Sequence, residues 1–61
     1  MPLVIVKMLT GRTAEQKRRL AKEITEVVSR VAVAPVEQVD VIIEELPREN
    51  WASGGKLYSD K

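Results

Sequence analysis

The chain has 61 residues, ten basic and nine acidic side chains, and neither cysteine nor histidine. This composition excludes disulfides, cysteine or histidine metal clusters and a histidine general base. Because the charges are interspersed and the formal net charge is +1, no nucleic-acid partner is expected. A domain this small buries only ~60% of the surface of its unfolded chain, so the 44% apolar content favours burial against further copies.

The chain starts with Met1 and Pro2, followed by the aliphatic run Leu3–Leu9. Nearly continuous apolar residues predict a strand that is covered on both faces, as in parallel sheets. The run is too short to span a bilayer and lacks the flanks of a signal peptide, so we expect a cytoplasmic protein with no membrane partner. Proline at position 2 permits removal of the initiator methionine, which would leave Pro2 as a rigid, basic, amino-terminal secondary amine. The alternative is that Pro2 only starts an edge strand, where proline is tolerated.

A helix is predicted after the turn Thr10–Arg12. Thr13 and Gln16 have the spacing of a capping box, in which each residue satisfies a backbone amide of the other. Apolar residues then recur with the helical period and predict one buried stripe, formed by Leu20, Ala21, Ile24, Val27, Val28, Val31 and Ala32.

The helix is expected to end near Val33, because Pro35 disfavours the α conformation in the residue before it. On the outer face, Lys22 and Glu26 have the spacing of an ion pair across one helical turn.

A second strand is predicted over Val39–Leu46, ended by Pro47. The order strand, helix, strand predicts an α/β (α+β) fold with a single βαβ domain over residues 1–61, parallel strands and a right-handed crossover. Two strands and one helix leave one sheet face bare and both edges open, which again favours an oligomer. Gly54–Gly55 predicts a tight turn in a C-terminal hairpin or loop.

Three further side chains are candidates for a site around Pro2. Arg12 follows the first strand, where a guanidinium can grip a substrate carboxylate through a bidentate pair; otherwise it is a solvated charge. Trp51, the only tryptophan, forms either an apolar wall beside the amine or a plug at a subunit contact. Asp40 would lie beside Pro2 if the strands are parallel, and its charge would favour the protonated amine. The alternative for Asp40 is a solvated strand-end charge.

Several segments of the chain together resemble the 4-oxalocrotonate tautomerase family. They are Met1–Pro2 before an apolar strand, Gly11–Lys17 with the pattern Gly-Arg-Thr-x-Glu-Gln-Lys, Ala34–Pro35, Val41–Glu45 and Trp51-x-x-Gly54-Gly55. The resemblance implies a cofactor-independent isomerase without a metal, built as a homo-hexamer (a trimer of dimers). The implied reaction is enol–keto isomerisation, by 1,3- or 1,5-proton transfer, of a 2-hydroxy-dienoate or 2-oxo acid such as 2-hydroxymuconate.

The resemblance also implies roles for individual residues. Pro2 matches the general base, and Arg12 matches the residue that binds a substrate carboxylate. Trp51 stands where the family has an aromatic residue that lines the pocket. Leu9 matches the strand-end position whose backbone faces the site.

One position departs from the family pattern. The family's second arginine, which orients the substrate's oxygens and stabilises enolate charge, would fall at Asp40, and loss of such help can cost several kcal/mol. Arg48, just beyond the second strand, is a candidate replacement, and a partner chain in a hetero-oligomer is another. The departure leaves two further functions open: a hydratase or dehalogenase reaction on a 3-substituted acrylate in the same pocket, and a non-catalytic subunit.

Overall fold

The computed structural model describes residues 2–61, so the predicted removal of Met1 concerns a residue outside this range. Strand β1 (Leu3–Leu9), helix α1 (Ala14–Ala32) and strand β2 (Asp40–Leu46) follow one another along the chain. The two strands are parallel neighbours and pair over all seven residues of each. This arrangement confirms the predicted βαβ unit. Strand β2 begins one residue later than predicted, because the Val39 amide still closes a 3-10 turn on the Val36 carbonyl.

Both ends of α1 are set by residues close in sequence. The backbone amide of Gln16 donates to Thr13 Oγ1 at 3.1 Å, and the backbone amide of Thr13 donates to Gln16 Oε1 at 2.9 Å. These two hydrogen bonds confirm the capping box. At the other end Val33 takes the left-handed conformation (φ 54°), and its amide donates to the Ser29 carbonyl. The Ser29 hydroxyl in turn donates to the Ala34 carbonyl at 2.6 Å. The helix therefore ends where the sequence predicts, but with a strained β-branched residue at its cap.

The predicted Lys22–Glu26 ion pair is wrong. Within residues 2–61 the ion pairs inside α1 are Arg19–Glu23 and, at 3.5 Å, Glu15–Arg18. A lysine ammonium on an exposed surface is strongly hydrated, and an exposed pair gains little free energy from forming.

The helix covers only one face of the two-stranded sheet. Burial alternates along both strands, so the prediction that β1 is covered on both faces is not met within one chain. Val39, 9% exposed, is the only buried hydrophobic residue in the described range. The opposite face presents Leu3, Ile5 and Ile42, which are 47% to 55% exposed.

The helix stripe is also narrower than predicted. Its half-buried members are Leu20, Ala21, Ile24 and Val28. Val27 is 48% exposed and Val31 is 73% exposed. A single copy therefore leaves apolar surface open on both the sheet and the helix, as expected for a chain that buries surface against other copies.

After β2 the chain forms a C-terminal arm, residues 48–61. It contains the antiparallel strands β3 (Ala52–Ser53) and β4 (Lys56–Leu57), which confirms the predicted hairpin. Gly54 and Gly55 both have positive φ, +62° and +82°, as the two-residue type I′ turn requires. No helix within residues 2–61 is long and apolar enough to cross a membrane.

Candidate functional site

Pro2 and Asp40 lie together at the amino end of the parallel strand pair. Asp40 is the register partner of Leu3, and its amide donates to the Pro2 carbonyl at 3.0 Å. Pro2 is half-buried, whereas Asp40 is exposed. The sequence prediction that Asp40 neighbours Pro2 is thus confirmed by the parallel pairing.

Arg12 lies at the other end of the sheet, in the turn between β1 and α1. Leu9 is the last residue of β1, and the next amide, that of Thr10, donates to the Leu46 carbonyl at 3.0 Å. Gly11 has φ +131°, a conformation that side chains disfavour, and this allows the chain to turn sharply into the helix cap. The turn leaves the Arg12 side chain exposed.

The surroundings of Arg12 suit an anion. Within residues 2–61 it forms no ion pair with a carboxylate. It borders a cavity of about 220 Å³, whose other lining residues are Met8, Gln16, Lys17 and Leu20. A guanidinium without a carboxylate partner can bind the carboxylate of a small molecule, and Met8 and Leu20 offer an apolar surface to the hydrocarbon part of that molecule.

A further charged pair, which the sequence analysis missed, lies beside this turn. Lys17 Nζ is 2.7 Å from Glu45 Oε1, and the two side chains are 34% and 25% exposed. The hydrogen bond from Lys17 lowers the pKa of Glu45; partial burial opposes this, while the Gly11 amide and the charge of Arg12 act in the same direction as Lys17. The sequence could have indicated this role for Glu45, because it lies two residues after Ile43 and therefore on the same, helix-facing side of β2.

Arg48 and Trp51 follow β2, at the same end of the sheet as Arg12. Arg48 is exposed and starts a 3-10 turn that extends to Asn50. Trp51 is half-buried and stacks on Tyr58 with ring centroids 6.1 Å apart. The Tyr58 amide also donates to the Trp51 carbonyl at 2.9 Å. Trp51 is therefore held by contacts within its own arm.

The predicted site residues fall into two groups on one chain. Pro2 precedes β1 and Asp40 is the first residue of β2, whereas Leu9 ends β1 and Arg12 comes after it. Six residue steps of ~3.3 Å along β1 place the two groups roughly 20 Å apart. One small ligand cannot touch Pro2 and Arg12 of the same chain, so a site containing both needs residues from two or more subunits.

The chain has close relatives among known proteins. The family model described as "Tautomerase enzyme" matches residues 2–61. A probable tautomerase of Bacillus cereus is 52% identical over 61 residues, with all of both chains covered. The 2-hydroxymuconate tautomerase of Bacillus subtilis is 48% identical over 60 residues, covering 98% of this chain and 97% of the relative.

Solved structures agree with these relatives. The crystal structure of YwhB, a homologue of 4-oxalocrotonate tautomerase, superposes with a TM-score of 0.96 at 47% identity and covers 98% of each chain. A heterohexamer 4-oxalocrotonate tautomerase from Chloroflexus aurantiacus has a TM-score of 0.94 at 33% identity, covering 98% of this chain and 97% of that one.

Proposed function

The chain belongs to the tautomerase family, and from this membership we propose that it catalyses the enol–keto isomerisation of a 2-hydroxy-dienoate or 2-oxo acid such as 2-hydroxymuconate. The observation that carries the proposal is the near full-length similarity to the 2-hydroxymuconate tautomerase of Bacillus subtilis. The family model and the relatives support an isomerase in general. The substrate is our inference from the Bacillus subtilis relative.

Pro2, as an amino-terminal amine once Met1 is removed, is the proposed general base. Its nitrogen takes the proton of the substrate's 2-hydroxyl, and the electron pair moves through the diene as the C2 carbonyl forms. The Pro2 ammonium then delivers that proton to C3 or C5, which regenerates the neutral amine. The net change is a 1,3- or 1,5-proton transfer, with no oxidation and no cofactor. This role requires the neutral amine at the working pH.

Arg12 is proposed to bind a carboxylate of the substrate. Its exposed position beside a cavity that Met8 and Leu20 also line, without a carboxylate partner in residues 2–61, supports this role. Trp51 is proposed as an apolar wall of the pocket, and the backbone of Leu9 as a further lining group.

The separation of Pro2 from Arg12 supports an oligomeric enzyme. We propose a homo-hexamer, a trimer of dimers, in which Pro2 of one subunit meets Arg12 of another. The uncovered apolar sheet face is the surface that such an assembly would bury. A hetero-oligomer is the alternative, supported by the heterohexameric relative and by Asp40, which stands where the family has a cation. Arg48 follows the end of β2 away from Asp40, so it can supply that cation only to another subunit's Pro2.

The test is ketonisation of 2-hydroxymuconate, followed by ultraviolet absorbance, with the intact mass confirming that Met1 is absent. Pro2→Ala should lower kcat/KM by roughly 100-fold or more, the usual contribution of a general base. Glu23→Gln, on the exposed outer face of α1, is the matched control and should leave the rate unchanged. Full activity in Pro2→Ala would refute the mechanism.

The carboxylate of Asp40 beside Pro2 favours one second candidate, hydration or dehalogenation of a 3-substituted acrylate. In that reaction Asp40 would orient the attacking water. Halide release from 3-chloroacrylate that disappears in Asp40→Asn would support this reaction over tautomerisation.

A further inference from the structure

The Glu45 carboxylate lies beside the short segment that carries Arg12 and Lys17: Glu45 is the register partner of Met8, and the Thr10 amide donates to the carbonyl of Leu46, the residue after Glu45. Lys17 Nζ is bonded to the Glu45 carboxylate at 2.7 Å. The charge of Arg12 is close enough to contribute to lowering the pKa of Glu45, although less than Lys17 does. Arg12 nevertheless forms no ion pair with it or with any other carboxylate in residues 2–61.

The fold explains why Lys17 takes the carboxylate. Lys17 lies in the first turn of α1, and its amide donates to the Thr13 carbonyl at 3.1 Å. The capping box of Thr13 and Gln16 fixes that turn. Glu45 is on the helix-facing side of β2, so a rigid helix start and a rigid strand present the two side chains to each other. Arg12, in the preceding loop, is exposed and forms no ion pair within residues 2–61.

We propose that Lys17 is the counter-ion that keeps Glu45 from pairing with Arg12, and that it thereby leaves Arg12 available to a substrate carboxylate. The proposal rests on the proposed function in one respect, the role of Arg12 as an anion-binding group. It adds Lys17 and Glu45 as positioning residues: they act through Arg12 and do not touch the reacting atoms.

The three charges predict a distinctive pattern of variants. Removing Lys17 leaves Glu45 without its partner. Arg12 lines the same cavity as Lys17, so in this variant an internal Arg12–Glu45 pair takes the place of the pair between Arg12 and the substrate's carboxylate. Removing Glu45 as well deletes the competitor and frees Arg12 again. If the Lys17–Glu45 pair were only a brace between helix and strand, the double variant would be at least as impaired as the worse single variant, because neither change restores the brace.

The experiment measures binding of cis,cis-muconate, an unsaturated dicarboxylate that lacks the 2-hydroxyl group and therefore does not undergo the reaction. Isothermal titration calorimetry on the assembled protein gives its Kd without any dependence on turnover. Lys17→Met should weaken binding about fivefold, the scale of one partly exposed ion pair. Adding Glu45→Gln to Lys17→Met should return Kd to within about twofold of the unmodified protein.

Three controls complete the design. Glu23→Gln removes a carboxylate from an exposed ion pair of the same helix and should change nothing. Arg12→Ala should weaken binding in every background, since all the effects pass through this side chain. Lys17→Gln, checked like the other variants for oligomer size and circular dichroism, repeats the test if Lys17→Met does not assemble.

Recovery of muconate affinity in the double variant supports the proposal. A double variant that binds no better than Lys17→Met overturns it, and so does a protein whose muconate binding is absent or independent of Arg12. The proposed function is judged separately, by turnover of 2-hydroxymuconate. If muconate affinity recovers in the double variant but 2-hydroxymuconate is not turned over, only the substrate proposal is refuted. If 2-hydroxymuconate is turned over but muconate affinity does not recover, only the counter-ion proposal is refuted.

Discussion

Asp40→Asn should make the enzyme more active on the acid side of its pH–rate profile. The carboxylate next to Pro2 stabilises the protonated amine, and only the neutral amine can act as a base. Asparagine keeps the size of the side chain and removes its charge. At a given acidic pH the variant therefore has a larger fraction of neutral amine, and the acid limb of kcat/KM moves to lower pH. The plateau at high pH, where the amine is already neutral, should not change for this reason.

The size of the effect follows from the strand register. Asp40 is opposite Leu3, and its amide is bonded to the Pro2 carbonyl at 3.0 Å. A strand spacing of ~4.8 Å plus the reach of the side chain puts the carboxylate on the order of 7 Å from the Pro2 nitrogen. Two unit charges at about 7 Å attract by ~0.6 kcal/mol at the dielectric constant of water, or about threefold in the neutral fraction of the amine. Salt screening reduces this figure, whereas coverage of this face in an oligomer lowers the effective dielectric constant and increases it.

The assay is kcat/KM for 2-hydroxymuconate from about pH 5 to 9 in Asp40→Asn and in a matched control. Glu44→Gln removes the same charge from the same face of β2, but four residues along, or ~13 Å further from Pro2. That is beyond the ~8 Å screening length at physiological salt, so its acid limb should not move. An unchanged limb in Asp40→Asn would mean that the Asp40 charge does not reach the amine. A loss of activity across the whole pH range would mean that Asp40 takes part in the chemistry.

Two further predictions concern stability. Val33→Gly should stabilise the protein by about 0.5–1 kcal/mol. The substitution relieves ~1–2 kcal/mol of strain in the left-handed backbone conformation, and the larger conformational entropy that glycine loses on folding offsets ~0.5–1 kcal/mol of this gain. Val33 is 88% exposed, so little packing is lost. Urea unfolding at fixed protein concentration measures the gain in stability. The control is Val31→Gly, inside the helix, which should instead be destabilising. Glu45→Gln should destabilise the protein at pH 7 and cease to do so in acid. The pKa of Glu45 is lowered in the folded chain by the Lys17 hydrogen bond, so its contribution is present above the ordinary glutamate pKa of ~4.3 and is lost as the pH falls through the folded pKa. Equal destabilisation by Glu45→Gln at pH 7 and pH 3 would contradict this account.

The elements of the fold could be predicted from the sequence because their determinants are local. Thr13 and Gln16 lie three residues apart and start the helix through their own backbone and side-chain groups. Pro35 and Gly54–Gly55 act on the backbone of their immediate neighbours. The parallel order of the strands follows from the helix between them, and that order brings Asp40 to Pro2. The family pattern, which runs along the whole chain, predicted the tautomerase relationship that the relatives confirm.

Other features depend on which faces meet, and these were decided only by the tertiary structure. The Lys17–Glu45 pair joins residues 28 apart in sequence, and it exists because one turn of α1 rests over the end of β2. The local rule that predicted a Lys22–Glu26 pair was wrong, since spacing alone does not overcome the hydration of two exposed charges. The strand that carries Pro2 at its head and Arg12 beyond its end also keeps them roughly 20 Å apart. The sequence determines both residues, but the length of β1 decides that a single small ligand cannot contact both of them within one chain.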